Sequence, residues 1–401
     1  MSSRFTRLLA TGVAALFGTG LMAVAAPAAQ ADGPGVGSGW VVTVGDSYIS
    51  GEAGRWAGNT NNSASTIDAL GSQAYFDNAT NNAETINRCH RSKSAEAFIG
   101  TLQGKNLACS GATTNTTNDT YFKPGLDFYN GTGGKGQALM LQEFAATNNV
   151  KMVVVSIGGN DFGFADVVQR CVQNFLASSS LWKDYCYDDS MVTSKFTASN
   201  VSAQRAKIAA AYRNIQTAMR NAGYGDTSWT LLVQNYMSPL PGGSAIRYSQ
   251  SGYSRQNTGG CGFWNADADW ANSTALPTIN GAVAGAVADS GLPNVKQLNL
   301  ASAFNGRRLC ENTVGLLEEK GLASWQSAGA VDKTEWIDQI RTVSTATSNY
   351  FIQESLHPNY WGQLALRNCV RQAWNVGAPK GGSCTISATG LLNGEPRMKL
   401  N

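Results

Sequence analysis

Four runs of apolar and β-branched residues punctuate the chain: WVVTVGDS (40–47), VKMVVVSIGG (150–159), WTLLVQNY (229–236) and NVKQLNL (294–300). None alternates strictly between apolar and polar positions, so each predicts a strand buried on both faces, as in a parallel sheet. Between them, apolar residues recur at helical spacing over 202–223, where Gly223 is a natural stop, over 276–291 and over 359–374. Strands and helices in alternation predict an α/β fold, a three-layer α/β/α sandwich around a parallel sheet, with ligands bound outside the carboxyl ends of the strands. Three segments break the rhythm, 55–88, 165–200 and 240–275, and read as loop insertions on one domain. The tail beyond Cys384 carries little pattern, and its end is expected to be mobile.

The first 31 residues fall outside this scheme. Arg4 and Arg7 precede an uncharged apolar stretch, Leu8 to Ala26, and APAAQA ends at Ala31 with a small-x-small cleavage pattern. The stretch is near the length of a membrane span, but its glycines and the cleavage site favour a removable export signal over a retained anchor. Residues 1–31 are therefore expected to be a signal peptide and 32–401 a single secreted domain, with no transmembrane segment in the mature chain.

Composition narrows the partners. Hydrophobic residues make up 43% of the chain, enough for a substantial core, whereas charged residues make up only 14%. A net charge of +3 without any Lys/Arg run argues against nucleic acid and directs attention to small molecules or lipid surfaces. All eight cysteines lie after the cleavage site, and an even number in an exported chain reads as disulfides. Eight cysteines allow 105 connectivities; the simplest expectation pairs sequence neighbours, Cys89–Cys109, Cys171–Cys186, Cys261–Cys310 and Cys369–Cys384. A zinc site is disfavoured by the absence of C-x-x-C and the presence of only two histidines.

That scarcity restricts the chemistry. His90 sits in INRCHRSKS between Arg88 and Arg91, whose charges disfavour its protonated form, and reads as a structural residue of a polar loop. His357, in SLHPNYWGQ, is presented by a turn, because Pro358 excludes it from the α region. Glu354, three residues earlier, could hold the other ring nitrogen by its carboxylate or its carbonyl. Ser47 ends a strand in GDS. Asn160 follows Gly158-Gly159 at the end of another, where an amide suits an oxyanion hole but also an Asx turn. Gly111 in LACSGATT could offer a free N–H, although Ser-Gly marks any turn.

In order, GDS near the mature N-terminus, a central glycine, GxND and a C-terminal histidine resemble the SGNH hydrolases, the GDSL family of esterases and lipases. The resemblance spans residues 40 to about 375 and implies roles for four residues. Ser47 is the nucleophile and one oxyanion donor, Gly111 and Asn160 are the other donors, and His357 is the base. Two positions depart from the family pattern. Tyr48 stands where the name-motif has Leu, and Glu354 stands where D-x-x-H has Asp. The latter leaves two alternatives, a Ser-His-Glu triad or a Ser-His dyad oriented by the carbonyl of residue 354, the dyad slightly favoured. No G-x-S-x-G elbow is present, which removes the α/β-hydrolase alternative.

The three insertions carry aromatic residues such as Phe175, Trp182, Phe263, Trp264 and Trp270 and few acids, and are expected to shape the substrate site. The leading reading is a secreted, monomeric, phospholipase B-like hydrolase of phospholipid or lysophospholipid acyl esters, acting without cofactor or metal on a lipid or small ester, at a lipid–water interface or in solution. Alternatives are a general carboxylesterase or triacylglycerol lipase, a carbohydrate O-acyl esterase, and a non-catalytic glycan binder.

Overall fold

The computed structural model describes residues 33–342 and 349–401, without the side chains of residues 349–351. The expected signal peptide lies outside the described residues. Seven strands form the central sheet: β1 (Trp40–Gly45), β2 (Gln103–Asn106), β3 (Val150–Ser156), β4 (Thr230–Gln234), β5 (Val295–Asn299), β6 (Gly382–Leu392) and β7 (Glu395–Leu400), in the order β7-β6-β5-β4-β3-β1-β2. All pairs are parallel except β6–β7. The helices that matter for the site are α1 (Ser47–Ser50), α2 (Gln137–Ala145), α3 (Phe164–Ala177), α4 (Ala198–Asn221), α5 (Leu276–Ser290), α6 (Asn349–Glu354) and α7 (Tyr360–Trp374). The fold is thus mixed α/β, a mostly parallel sheet flanked by helices. Among the described residues no helix is long and apolar enough to cross a membrane.

The continuous apolar runs do what their composition dictates. Val42, Val44, Val153, Val155, Leu231 and Leu232 are fully buried, each worth about 1.5–3 kcal/mol of transfer free energy. The run at 294–300 differs. Lys296, Gln297 and Asn299 of β5 are exposed, because this strand lies beyond the well-covered centre of the sheet and keeps its polar side chains in water.

Two segments expected to be loop or mobile are ordered. The 165–200 segment opens with α3, whose Phe164, Val167, Val168, Cys171, Val172 and Phe175 recur at helical spacing along one buried face. The tail is a hairpin, β6–β7, turned at Asn393 and Gly394 with φ of 54° and 82°. Positive φ at both positions is the signature of a type I′ turn, for which Asn-Gly is the preferred pair. All four disulfides join sequence neighbours as expected, and Cys369–Cys384 fastens α7 to the hairpin.

Candidate active site

The parallel pairing of β1 and β3 decides where the chemistry gathers. Gly45 is the register partner of Ser156, so the residues that follow each strand emerge at one sheet edge, Ser47 from β1 and Asn160 from β3. The approach at that point admits only glycine. Gly45 has φ of +132°, and a Cβ there would lie 1.9 Å from the Ser156 carbonyl oxygen. Asp46 caps α1, its carboxylate accepting the Tyr48 N–H at 3.1 Å and the Tyr236 hydroxyl. Burial pushes the Asp46 carboxyl up to about 7, against those hydrogen bonds. β2 delivers the third element: the Cys109 N–H bonds the Gly45 carbonyl at 3.1 Å, which sets Ser110 and Gly111 beside the nucleophile turn.

His357 arrives from the other side. Asn359 caps α7 by accepting the Trp361 and Gly362 N–H groups, and the preceding turn holds Leu356 at φ of +61°. That strained conformation costs about 1–3 kcal/mol. It is held by the Leu356 N–H on the Asp338 carbonyl and by the Tyr48 hydroxyl, which donates to the Leu356 carbonyl at 3.0 Å. Tyr48, the residue that departs from the name-motif, thus joins the nucleophile turn to the histidine turn. Its ring also lies 5.2 Å from the imidazole.

His357 Nε2 lies 2.7 Å from Ser47 Oγ. Its Nδ1 lies 2.9 Å from the Ser355 carbonyl and 3.3 Å from that of Glu354. Carbonyls only accept, so Nδ1 carries the proton and Nε2 receives the serine hydroxyl. Burial holds the imidazole below its ordinary value of 6.5, leaving it a free base at neutral pH. The Glu354 carboxylate takes no part in this contact. It accepts the Trp56 indole N–H at 2.7 Å and the Tyr75 hydroxyl at 2.5 Å, and burial raises it to about 7. The arrangement is a dyad oriented by main-chain carbonyls, with Ser355 rather than Glu354 supplying the nearer one.

Ser47, Gly111, Asn160 and His357 line one open cleft of about 600 Å³. Among the described residues neither the Ser47 nor the Gly111 N–H has an acceptor. Gly111 reaches this orientation at φ of +81°. The Asn160 amide spends one N–H on the Ala112 carbonyl at 2.8 Å, which fixes its plane and leaves the second for the cleft. A narrower cavity of about 70 Å³ also reaches Ser47 and Asn160, walled by Phe162, Phe164, Phe196, Leu240, Phe263 and Trp270. The insertions therefore contribute Phe263 and Trp270 to the site. Phe175 and Trp264 instead pack against each other in the interior with their rings tilted, and Trp182 is exposed.

His90 departs most from the sequence reading. Its segment is irregular, as expected of a loop, but the ring is fully buried and its Nδ1 lies 2.5 Å from Glu52 Oε1. Burial opposes its charge, but Glu52 and Glu84 overcome that and raise its pKa. The flanking cations face elsewhere, Arg91 toward the Leu107 and Ala108 carbonyls and Asp77. Glu52, His90 and Glu354 bring their ligand atoms within 4.8 Å of one another, yet these atoms are already engaged by the ion pair and by Trp56 and Tyr75.

No protein-family model and no curated protein matches the chain. Two solved structures are similar to it. An extracellular lipase from Streptomyces rimosus is 19% identical, with 84% of this chain and 100% of that one covered and a TM-score of 0.42. A phospholipase A1 from Streptomyces albidoflavus is 18% identical, with 84% and 99% covered and a TM-score of 0.43.

Proposed function

We propose that the protein is a secreted serine hydrolase of lipid acyl esters, with phospholipids or lysophospholipids as the leading substrates, acting through a Ser47 acyl-enzyme. The observation that carries this reading is the 2.7 Å contact between Ser47 Oγ and a histidine whose other nitrogen is locked by carbonyls. It lies in the same cleft as three N–H donors of independent origin, a combination a binding protein does not need.

In the first step Ser47 Oγ bonds to the ester carbonyl carbon while its proton passes to His357 Nε2. The Ser47 and Gly111 N–H groups and the Asn160 amide receive the oxyanion. The C–O bond to the alcohol then breaks and His357 returns the proton to the departing oxygen. Water repeats the sequence: it loses a proton to His357, attacks the acyl carbon, and Ser47 leaves reprotonated. Two features favour a lipid. The narrow cavity beside Ser47 has aromatic and aliphatic walls suited to an acyl chain. On the cleft wall, Arg341 is the one permanently charged residue among the described residues, a cation suited to a phosphate.

Two measurements test the reading. An organophosphonate is expected to label wild-type protein at Ser47 and to leave Ser47→Ala unlabelled; absence of wild-type labelling sinks the hydrolase. Mass analysis of products from phosphatidylcholine, run beside a short p-nitrophenyl ester, tests the substrate class. Release of fatty acids with glycerophosphocholine is expected. Hydrolysis of the short ester alone moves the function to a carboxylesterase.

A further inference from the structure

The dyad lacks the carboxylate that usually stabilises an imidazolium during acyl transfer. Three carboxyl groups surround the histidine turn, those of Glu52, Glu354 and Asp338. All three are buried. Burial raises Glu354 to about 7 and Asp338 well above its ordinary value, toward the neutral form. Glu52 behaves oppositely. Burial pushes it up too, but the charge and hydrogen bond of His90 overcome that and hold it ionised at about 2.

Glu52 is also bonded to the nucleophile turn, to His90 and to Gln353. Its own N–H donates to the Ser47 carbonyl at 3.3 Å, closing the nucleophile turn. Its Oε1 meets His90 Nδ1, and its Oε2 accepts the Gln353 amide at 2.8 Å. That amide also lies 3.1 Å from Ser110 Oγ, one residue before the Gly111 donor, and Gln353 is four residues before His357 along the chain. His90 is next to Cys89, which is disulfide-bonded to Cys109 and accepts the Ser110 N–H at 3.0 Å. The Tyr75 ring stacks on His90 at 4.3 Å and donates its hydroxyl to Glu354. The pair thus sits where the nucleophile turn, the oxyanion loop and the histidine turn meet.

We propose that the buried Glu52–His90 ion pair, tethered through Gln353 to Ser110, is a positioning element for catalysis that sets the oxyanion loop against Ser47 and keeps ionised, beside the Ser47–His357 dyad, the carboxylate that the dyad lacks. The inference rests on the hydrolase reading. The ionisable groups around His357 are Glu52 from the nucleophile turn, His90 from the segment after Tyr75, Tyr48 from α1, Glu354 of its own turn, and Asp338, whose N–H bonds the His357 carbonyl. Of these, Glu52 is the anion whose field favours protonated His357, and the opposing field of charged His90 is smaller. Removing its charge makes the imidazole a weaker base.

The test is the pH profile of a soluble p-nitrophenyl ester. Wild type is expected to gain activity as pH rises through the depressed His357 pKa and to level off above it. Glu52→Gln is expected to lose about tenfold or more in kcat with KM within about twofold, and its acid limb moves down by about 0.5–1 pH unit. Gln353→Met, which cuts the tether but keeps the charge, is expected to lower kcat with the limb unmoved. Should Glu52→Gln fail to fold, as judged by its thermal midpoint, Glu52→Gln/His90→Gln carries the test. It removes both buried charges together, and a lower kcat with a smaller downward shift is expected. A folded Glu52 variant with wild-type kcat and an unmoved limb overturns the proposal. Failure of wild type to hydrolyse any ester or to accept the phosphonate label overturns the hydrolase reading instead.

Discussion

At the scale of single residues, the site divides into groups the sequence could name and partners it could not. Ser47, Asn160 and His357 are exposed to inference because the first two follow strand ends and the third precedes a proline, where the backbone leaves few conformations. Asn160 can be tested directly. Its side chain bonds the Ala112 carbonyl, while the turn itself is closed by the Gly163 N–H on the Asn160 carbonyl, a main-chain bond that alanine keeps. Asn160→Ala is expected to lower kcat by about a hundred- to a thousandfold, equivalent to about 2.7–4 kcal/mol of transition-state stabilisation, while losing only about 0.5–1.5 kcal/mol of stability with the Ala112 bond. Steady-state kinetics on a soluble ester checks it, and near-full activity removes Asn160 from the oxyanion hole. The carbonyl behind His357 was not legible. Whether residue 354 or 355 supplies it depends on the left-handed turn at Leu356, which no residue preference announces. His90 was illegible for another reason. Its partner Glu52 lies 38 positions away, and the sequence around each suggests only a polar loop.

At the scale of elements, the site is a product of strand register. Aligning Gly45 with Ser156 places Ser47 and Asn160 side by side, and a side chain at position 45 would break that alignment. Gly45→Ala is expected to destabilise the fold by several kcal/mol. About 1–3 kcal/mol comes from the backbone conformation, and the contact with the Ser156 carbonyl adds to it. Denaturant unfolding measures the loss, and a midpoint equal to wild type would show that the two strands tolerate separation there. The central strands were legible because burial on both faces demands unbroken apolar runs. β2 was not: its sequence is QGKN, with no apolar run, and it joins the sheet through main-chain pairing with β1 and through the Asn106 amide, which accepts the Thr43 hydroxyl at 3.1 Å. The C-terminal hairpin and α3 carried their signals, Asn393-Gly394 and the apolar spacing from Phe164 to Phe175. In both places the polar composition of the neighbouring sequence masked a local pattern that was sufficient.

For the whole molecule, the disulfides differ in their distance from the candidate site, so the proposed function makes them separable. Cys369–Cys384 anchors the β6–β7 hairpin at one end of the sheet, whereas β1, which carries Ser47, lies second from the other end. Cys89–Cys109 lies next to the Ser110–Gly111 loop and to His90. Their sequence separations, 15 and 20, are similar, so the chain-entropy contribution of each is about 3 kcal/mol. Equal stabilisation with unequal position predicts different phenotypes. Replacing Cys369 and Cys384 by serine is expected to lower the thermal midpoint by several degrees and to leave kcat at 25 °C within about twofold of wild type. Replacing Cys89 and Cys109 is expected to lower the midpoint by a comparable amount and, in the protein that remains folded, to lower kcat by about tenfold or more, because the second oxyanion donor loses its anchor. Melting curves and steady-state rates on the two double variants decide the point. Equal kcat values in both would mean that the Gly111 loop is held by the sheet alone, through the Cys109 N–H on the Gly45 carbonyl.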